Sequence, residues 1–256
     1  MPFHLQMLLP GLLLALGYGL GDIDEAGLLT GALYVGWVLS EGRLPSWLWW
    51  FGALASSVAL AIHVAPGFSP HVLGGPLQYS PDAEPVWLRL SWDKALVGVT
   101  LLAWWLGKAV PYDTRRMLQV RPCVLIAVGT LAVVPALALG MGLVAFQPKW
   151  PALFWTWFSL NLGVAVLAEE LLFRALLQRG LIDRFGFWAG LLVTAVLFGM
   201  AHWPFSAGFA LVAAVAALGY GAIFERSGRR LSMAVALHLA VNVLHVLLLS
   251  YPLRLS

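Results

Sequence analysis

The chain has 256 residues, 61% of them hydrophobic and only 11% charged, a balance that excludes an ordinary water-soluble domain and marks an integral membrane protein. The formal net charge of +3 is no sign of nucleic-acid binding, because the basic residues fall in the pattern of a topology signal. The single cysteine, Cys123, excludes an internal disulfide.

Apolar runs of helix-spanning length recur along the whole chain, and no polar block is long enough to fold as a separate soluble domain. Residues 1–256 therefore read as one membrane domain. The fold class expected is all-α, a polytopic membrane helical bundle of about eight or nine transmembrane helices. Spans are predicted near 3–20, 27–40, 46–64, 94–107, 122–146, 153–177, 186–202, 205–224 and 231–250. The second and fourth are short, so one of the nine is equally tenable as a re-entrant or interfacial piece. The opening MPFHLQMLLPGLLLALGYGL has neither a basic flank nor an A-x-A site, so a retained span is expected rather than a cleaved signal.

When successive connections are assigned to alternate sides, the fifteen Lys and Arg divide ten to four, with Arg174 left inside a span. The richer side holds Arg43, Lys108, Arg115, Arg116, Arg121, Arg179, Arg184, Arg226, Arg229 and Arg230. By the positive-inside rule that side is cytoplasmic. The N-terminus is then expected inside, with the acidic turn GDIDE (21–25) and the C-terminus outside, in a plasma membrane of bacterial inner-membrane type. Tryptophans cluster at proposed span ends, as in LPSWLWWF and KWPALFWTW, in keeping with interfacial anchoring. The long connection 65–93 carries Pro66, Pro70, Pro76, Pro81 and Pro85 and is expected on the external face, as an ordered flap or a loose loop. No internal repeat or low-complexity tract is visible.

Ten of the twelve acidic residues fall in connections or at span ends, and Glu169 and Glu170, in LAEELLFRALLQ, do not. A charge at mid-span costs a few kcal/mol, roughly 2.5–3.5 on insertion scales. Glu170 and Arg174 are i and i+4, glutamate first, the better order for a helical pair. Glu169 points about 100° away from its neighbour. It is expected to face a cavity without a cation of its own, suited to act as a general base or a proton carrier. In FGMAH (198–202), His202 follows Phe198 by one turn. In HLAVN (238–242), His238 and Asn242 share one face, continued by His245. Singly, such histidines are packing residues more often than catalysts. On the predicted spans Glu169 and His238 lie about 8 and 7 residues from the cytoplasmic side, roughly 10–13 Å deep, while His202 lies about 16 residues in.

EELLFR, FGMAH and HLAVN, in that order on three helices, match EExxxR, FxxxH and HxxxN at every defining position. They resemble the signature motifs of the CPBP family, the type II CAAX prenyl endopeptidases and bacterial Abi-type, bacteriocin-processing membrane proteases. The resemblance covers residues 151–250 as the motif-bearing core, and residues 1–150 match only as generic membrane helices. It implies a glutamic-type intramembrane endopeptidase. Glu169 would be the general base and His202 would position the attacking water. His238 and Asn242 would stabilise the oxyanion, and Glu170 and Arg174 would hold the geometry and charge of the first carboxylate. The chemistry is consistent, because peptide hydrolysis needs a base beside a water and donors aimed at the developing oxyanion.

The same residues allow zinc on Glu169, His202 and His238, a metalloprotease reading often applied to this family. No cofactor is favoured over Zn²⁺ here, because HExxH is absent and Asn242 suits an oxyanion better than a metal. GLGD (19–22) spells the presenilin-like GxGD, but Tyr112 and Asp113, the only Tyr-Asp pair, follow it in a basic connection, so GLGD reads as a turn. The expected partners are a membrane protein or peptide substrate and the lipid bilayer, with no nucleic acid. The resemblance implies a substrate that is a lipidated protein, a leader peptide or a sorting-tail protein. Competing readings are a proton- or ion-coupled transporter, disfavoured by the lack of paired Gly/Pro-broken helices, and a non-proteolytic scaffold of the same family.

Overall fold

The computed structural model describes residues 2–107 and 117–255. The helices in chain order are α1 (Phe3–Gly19), α2 (Glu25–Val38), α3 (Ser46–Ala61), α4 (Trp92–Gly107), α5 (Val120–Gly140) and α6 (Phe154–Leu160), then α7 (Leu167–Glu170), α8 (Arg179–Phe185), α9 (Phe187–Ala201), α10 (Ala207–Arg226) and α11 (Leu231–Leu248). π-helical segments, Asn161–Val166 and Leu171–Gln178, flank α7. Strands β1 (His71–Leu77) and β2 (Val86–Leu90) pair in the connection between α3 and α4. The chain divides into two compact units.

The first unit comprises Met1–Leu73, Arg89–Pro111 and Leu162–Leu176. In it α1, α2, α3 and α7 all pack on α4. The acidic turn is structural. The Asp24 carboxylate caps α2 by accepting from Gly27 N at 2.9 Å, and a Cβ on Gly27 would collide with the Gly67 carbonyl. Asp22 accepts from His71 Nδ1 at 2.8 Å and from Trp92 Nε1 at 3.1 Å. GLGD is thus a turn that ends α1, with Gly21 at φ +79°.

The second unit comprises Gly74–Leu88, Tyr112–Asn161 and Leu177–Ser256. Its centre is α10, which packs on α5, α9 and α11. Small residues permit close approach. A Cβ on Gly199 of α9 would come within 2.8 Å of the Ala214 methyl, and one on Gly219 would collide with Thr130 of α5. Gly186, at φ +85°, separates α8 from α9 in a conformation that side chains disfavour. The Ser206 hydroxyl caps α10 by accepting from Phe209 N at 3.0 Å. At one end of the unit, Arg226 Nη1 donates to Gln119 Oε1 at 3.3 Å and Arg229 Nη2 to Asp183 Oδ1 at 2.8 Å, so several of the basic connections meet. Lys108, Arg115, Arg116, Tyr112 and Asp113 lie outside the described residues.

Helix accounts for 69% of the structure. Among the described residues, α5, α10 and α11 are long and apolar enough to cross a membrane, while the apolar stretches His4–Gly19, Ser46–Ala61 and Phe187–Ala201 are shorter. The count of eight or nine crossing helices is not reached by that measure, because turns and caps end several runs early. Outward apolar residues such as Leu5, Leu9, Leu12 and Leu16 on α1, or Val124, Leu125 and Val128 on α5, suit contact with lipid.

Two boundaries differ from expectation, and one connection expected in either of two forms takes the ordered one. The connection 65–93 is an ordered hairpin whose turn is fixed by packing: Tyr79 and Leu88 are buried with Phe154, Trp157 and Val246, and Tyr79 Oη donates to Ala152 O at 2.7 Å. The span predicted to run to 146 ends at Gly140. Beyond it, residues 143–149 pair with the extended segment after α11, through Ser250 N to Ala145 O at 2.9 Å and Arg254 N to Leu143 O at 3.0 Å. The helical turns expected to stop at 177 continue to Phe185.

Asp82 clamps the segment after α11. It accepts from Ser250 Oγ at 2.9 Å and lies 3.2 Å from Arg254 Nε. Burial opposes its ionisation, yet hydrogen bonds from Ser250 and Gln147 and the Arg254 guanidinium outweigh that and hold the carboxyl below its ordinary value. A depressed carboxylate stabilises above its unfolded value of about 3.9, and the contribution disappears as pH falls through the lower folded value. Hydrogen exchange should therefore show the Ser250 and Arg254 amides protected at neutral pH and released in that acid range. Asp82→Asn should release them at neutral pH; protection unchanged in that variant would contradict the clamp.

Candidate active site

In the first unit, α7 carries both glutamates. The spacing of EELLFR yields the expected pair: Arg174 Nε donates to Glu170 Oε2 at 3.0 Å, and both side chains are 0% exposed. The second π-helical segment displaces the ordinary ladder, and the Leu176 carbonyl accepts from Trp50 Nε1 at 3.1 Å. π-helical turns of this kind recur at functional sites.

Glu169 points elsewhere, and the expectation that it lacks a cation is corrected. Its Oε1 accepts from Lys94 Nζ at 2.7 Å, with the glutamate side chain 17% and the lysine 21% exposed. Lys94 is one of the four basic residues on the poorer side of the topology count, and its position at a span edge concealed its role. Electrostatics explains the pairing. Two carboxylates with only Arg174 would leave one uncompensated negative charge in a poorly solvated place, and Lys94 brings the formal sum of the four groups to zero.

The second unit brings three of the four predicted catalytic residues to one cavity. His202, His238 and Asn242 line it with Phe198, Tyr220 and His245, the rest of the wall being largely apolar. Its volume is ≈ 80 Å³, and since roughly 10–15 Å³ holds one water, several can enter.

The geometry explains the FxxxH spacing. His202 is the C-cap of α9, and its backbone N–H bonds Gly199 O at 2.9 Å instead of the Phe198 carbonyl. The freed Phe198 carbonyl lies 2.8 Å from His202 Nδ1. A carbonyl only accepts, so Nδ1 carries the proton and, in the neutral ring, Nε2 presents a lone pair. Phe198 also stacks on the imidazole at 4.7 Å. His238 is buried, stacked on Tyr220 at 4.5 Å and edge-on to Phe198 at 5.9 Å. Asn242 Nδ2 donates to Asn161 Oδ1 at 3.1 Å, which engages one of its two amide protons. His245 Nε2 donates to Ser250 O at 3.0 Å, tying α11 to the clamped segment.

Sequence reasoning missed Lys94, Asn161 and Tyr220. An asparagine within an apolar span was a signal for Asn161, and nothing local marked Tyr220. With the helix continuing to Phe185, Glu169 lies sixteen residues from the end of the helix.

Zinc on Glu169, His202 and His238 needs three donors grouped about one point. Among the described residues, no three or more His, Cys, Asp or Glu side chains are grouped in that way. The Nδ1–H bond of His202 to a carbonyl leaves Nε2 as its open donor, and Glu169 is paired with Lys94.

The first unit thus holds a buried ion pair, the second a water-sized cavity lined by three imidazoles, and three of the helices are apolar enough to cross a bilayer. Residues 150–244 match the family model described as type II CAAX prenyl endopeptidase Rce1-like. The match covers Glu169, Glu170, Arg174, Phe198, His202, His238 and Asn242, and the resemblance drawn from the three motifs is borne out over that segment. No curated protein and no solved structure gives a match.

Proposed function

We propose that the protein is an intramembrane endopeptidase that hydrolyses a peptide bond in a membrane-associated protein or peptide, lipidated or carrying an apolar sorting tail. The observation that carries this reading is the cavity lined by His202, His238 and Asn242, with the His202 tautomer set by Phe198. Water attacks the peptide carbonyl carbon while Glu169 accepts its proton and His202 Nε2 orients it. His238 and the second Asn242 amide proton donate to the oxyanion. When the C–N bond breaks, the proton held by Glu169 passes to the departing amine. Glu170 and Arg174 keep α7 in shape. No metal is assigned a step. The proposed orientation places the basic connections and the N-terminus in the cytoplasm and the C-terminus outside, in a plasma membrane.

The test is the membrane peptide profile of cells in which the native copy is replaced by Glu169→Gln. Accumulation of uncleaved membrane peptides is expected, and a profile identical to wild type would overturn the reading. Proton flux in liposomes that depends on Glu169, without cleavage, would establish a transporter instead. Hydrolysis should persist in excess chelator, with no stoichiometric zinc by elemental analysis. Loss of activity on chelation, restored by zinc, would assign the metal to Glu169, His202 and His238.

A further inference from the structure

We infer that Lys94 is a positioning residue for Glu169: from the first turn of α4 it holds the proposed base ionised and aimed. This rests on the reading of Glu169 given above and extends the reactive centre into the part of the chain that the family match does not reach.

The first observation is the contact itself, Lys94 Nζ to Glu169 Oε1 at 2.7 Å, a charge-assisted hydrogen bond between two mostly buried side chains. The second is how the backbone permits it. Gly98 follows Lys94 by one turn on the same face of α4, and Ala168 precedes Glu169. A Cβ on Gly98 would stand 3.5 Å from the Ala168 Cβ. Two small residues in register thus bring the helices close enough for a lysine to reach the next residue. The third is how Lys94 is fixed. Asp93, buried, accepts from Lys94 N at 2.8 Å through Oδ1 and from His63 Nδ1 at 2.8 Å through Oδ2. The turn that carries the ammonium is pinned from both sides.

The chemical consequence is specific. A base that must take a proton from water has to be anionic and oriented before substrate arrives, in a place where an isolated anion is unfavourable. Lys94 meets both needs, and arginine would keep the charge.

The experiment uses the full-length protein in proteoliposomes with two probes, a peptide carrying a farnesylated cysteine before three apolar residues and an apolar membrane peptide without lipid. Lys94→Gln, Lys94→Arg, Glu169→Gln and Lys94→Gln/Glu169→Gln are compared, with Lys94→Met as a second neutral replacement should Lys94→Gln not fold. The neutral variants should lose about 10- to 100-fold in kcat, the range for removing a partner that orients a reactive group, with KM within about twofold. Lys94→Arg should recover most of that loss, and the double variant should be no slower than Glu169→Gln alone. A folded neutral variant with wild-type kcat, or a double variant whose losses multiply, would overturn the role of Lys94 while leaving Glu169 as the base. Full cleavage by Glu169→Gln would overturn the base assignment, and the Lys94 role with it.

Discussion

Arg174→Ala should destabilise the protein by about 3–5 kcal/mol, the cost of leaving a buried charge without its partner. Glu170 and Arg174 are both fully buried and joined by a 3.0 Å hydrogen bond, so neither can turn to solvent when the other is removed. The double replacement Glu170→Leu/Arg174→Met removes both charges at similar volume and should recover most of the loss. Reversible unfolding in detergent measures both effects. A fall below about 1 kcal/mol for Arg174→Ala would show that the pair is solvated and that α7 does not depend on it.

His202→Ala should lower cleavage by about 10²–10⁴-fold, the usual contribution of a positioned acid–base group. It should cost little stability, because the side chain is only half-buried and the hydrogen bond it loses is worth about 0.5–1.5 kcal/mol. Its value lies in presentation: the Phe198 carbonyl holds the Nδ1 proton and the Phe198 ring holds the plane of the imidazole. Phe198→Leu keeps the carbonyl and removes the stacking, so it should retain part of the activity. Peptide cleavage by the folded variants decides the matter, and wild-type rates in His202→Ala would remove the histidine from the chemistry.

The parts of the site legible in sequence are those encoded by local spacing. Glu170 and Arg174 meet because i and i+4 share a helix face, and His202 reaches the Phe198 carbonyl for the same reason. His238 and Asn242 line one cavity because one turn separates them. The helical periods also placed most elements close to their observed bounds. What was not legible depends on long-range pairing. Lys94 lies 75 positions from Glu169, and Asn161 lies 81 from Asn242. The second glutamate was read as a carboxylate without a cation of its own, and no local spacing pointed to Lys94. The hairpin in 65–93 was obscured by its prolines, since its order comes from Tyr79 and Leu88 packing against distant aromatic residues. The extended segment after α11 was read as helix to 250 because Leu247, Leu248 and Leu249 are apolar throughout, whereas residues 143–149 offer it a strand-like edge.

The most direct measurement is hydrolysis of a membrane peptide by purified protein in proteoliposomes, with product masses recorded in H₂¹⁸O for wild type and for Glu169→Gln. Wild type should release two fragments, the new carboxylate carrying ¹⁸O, and Glu169→Gln, folded to the same melting temperature, should release them about 10²–10⁴-fold more slowly. Equal cleavage by the two proteins would show that the carboxylate of Glu169 is not the base that activates water.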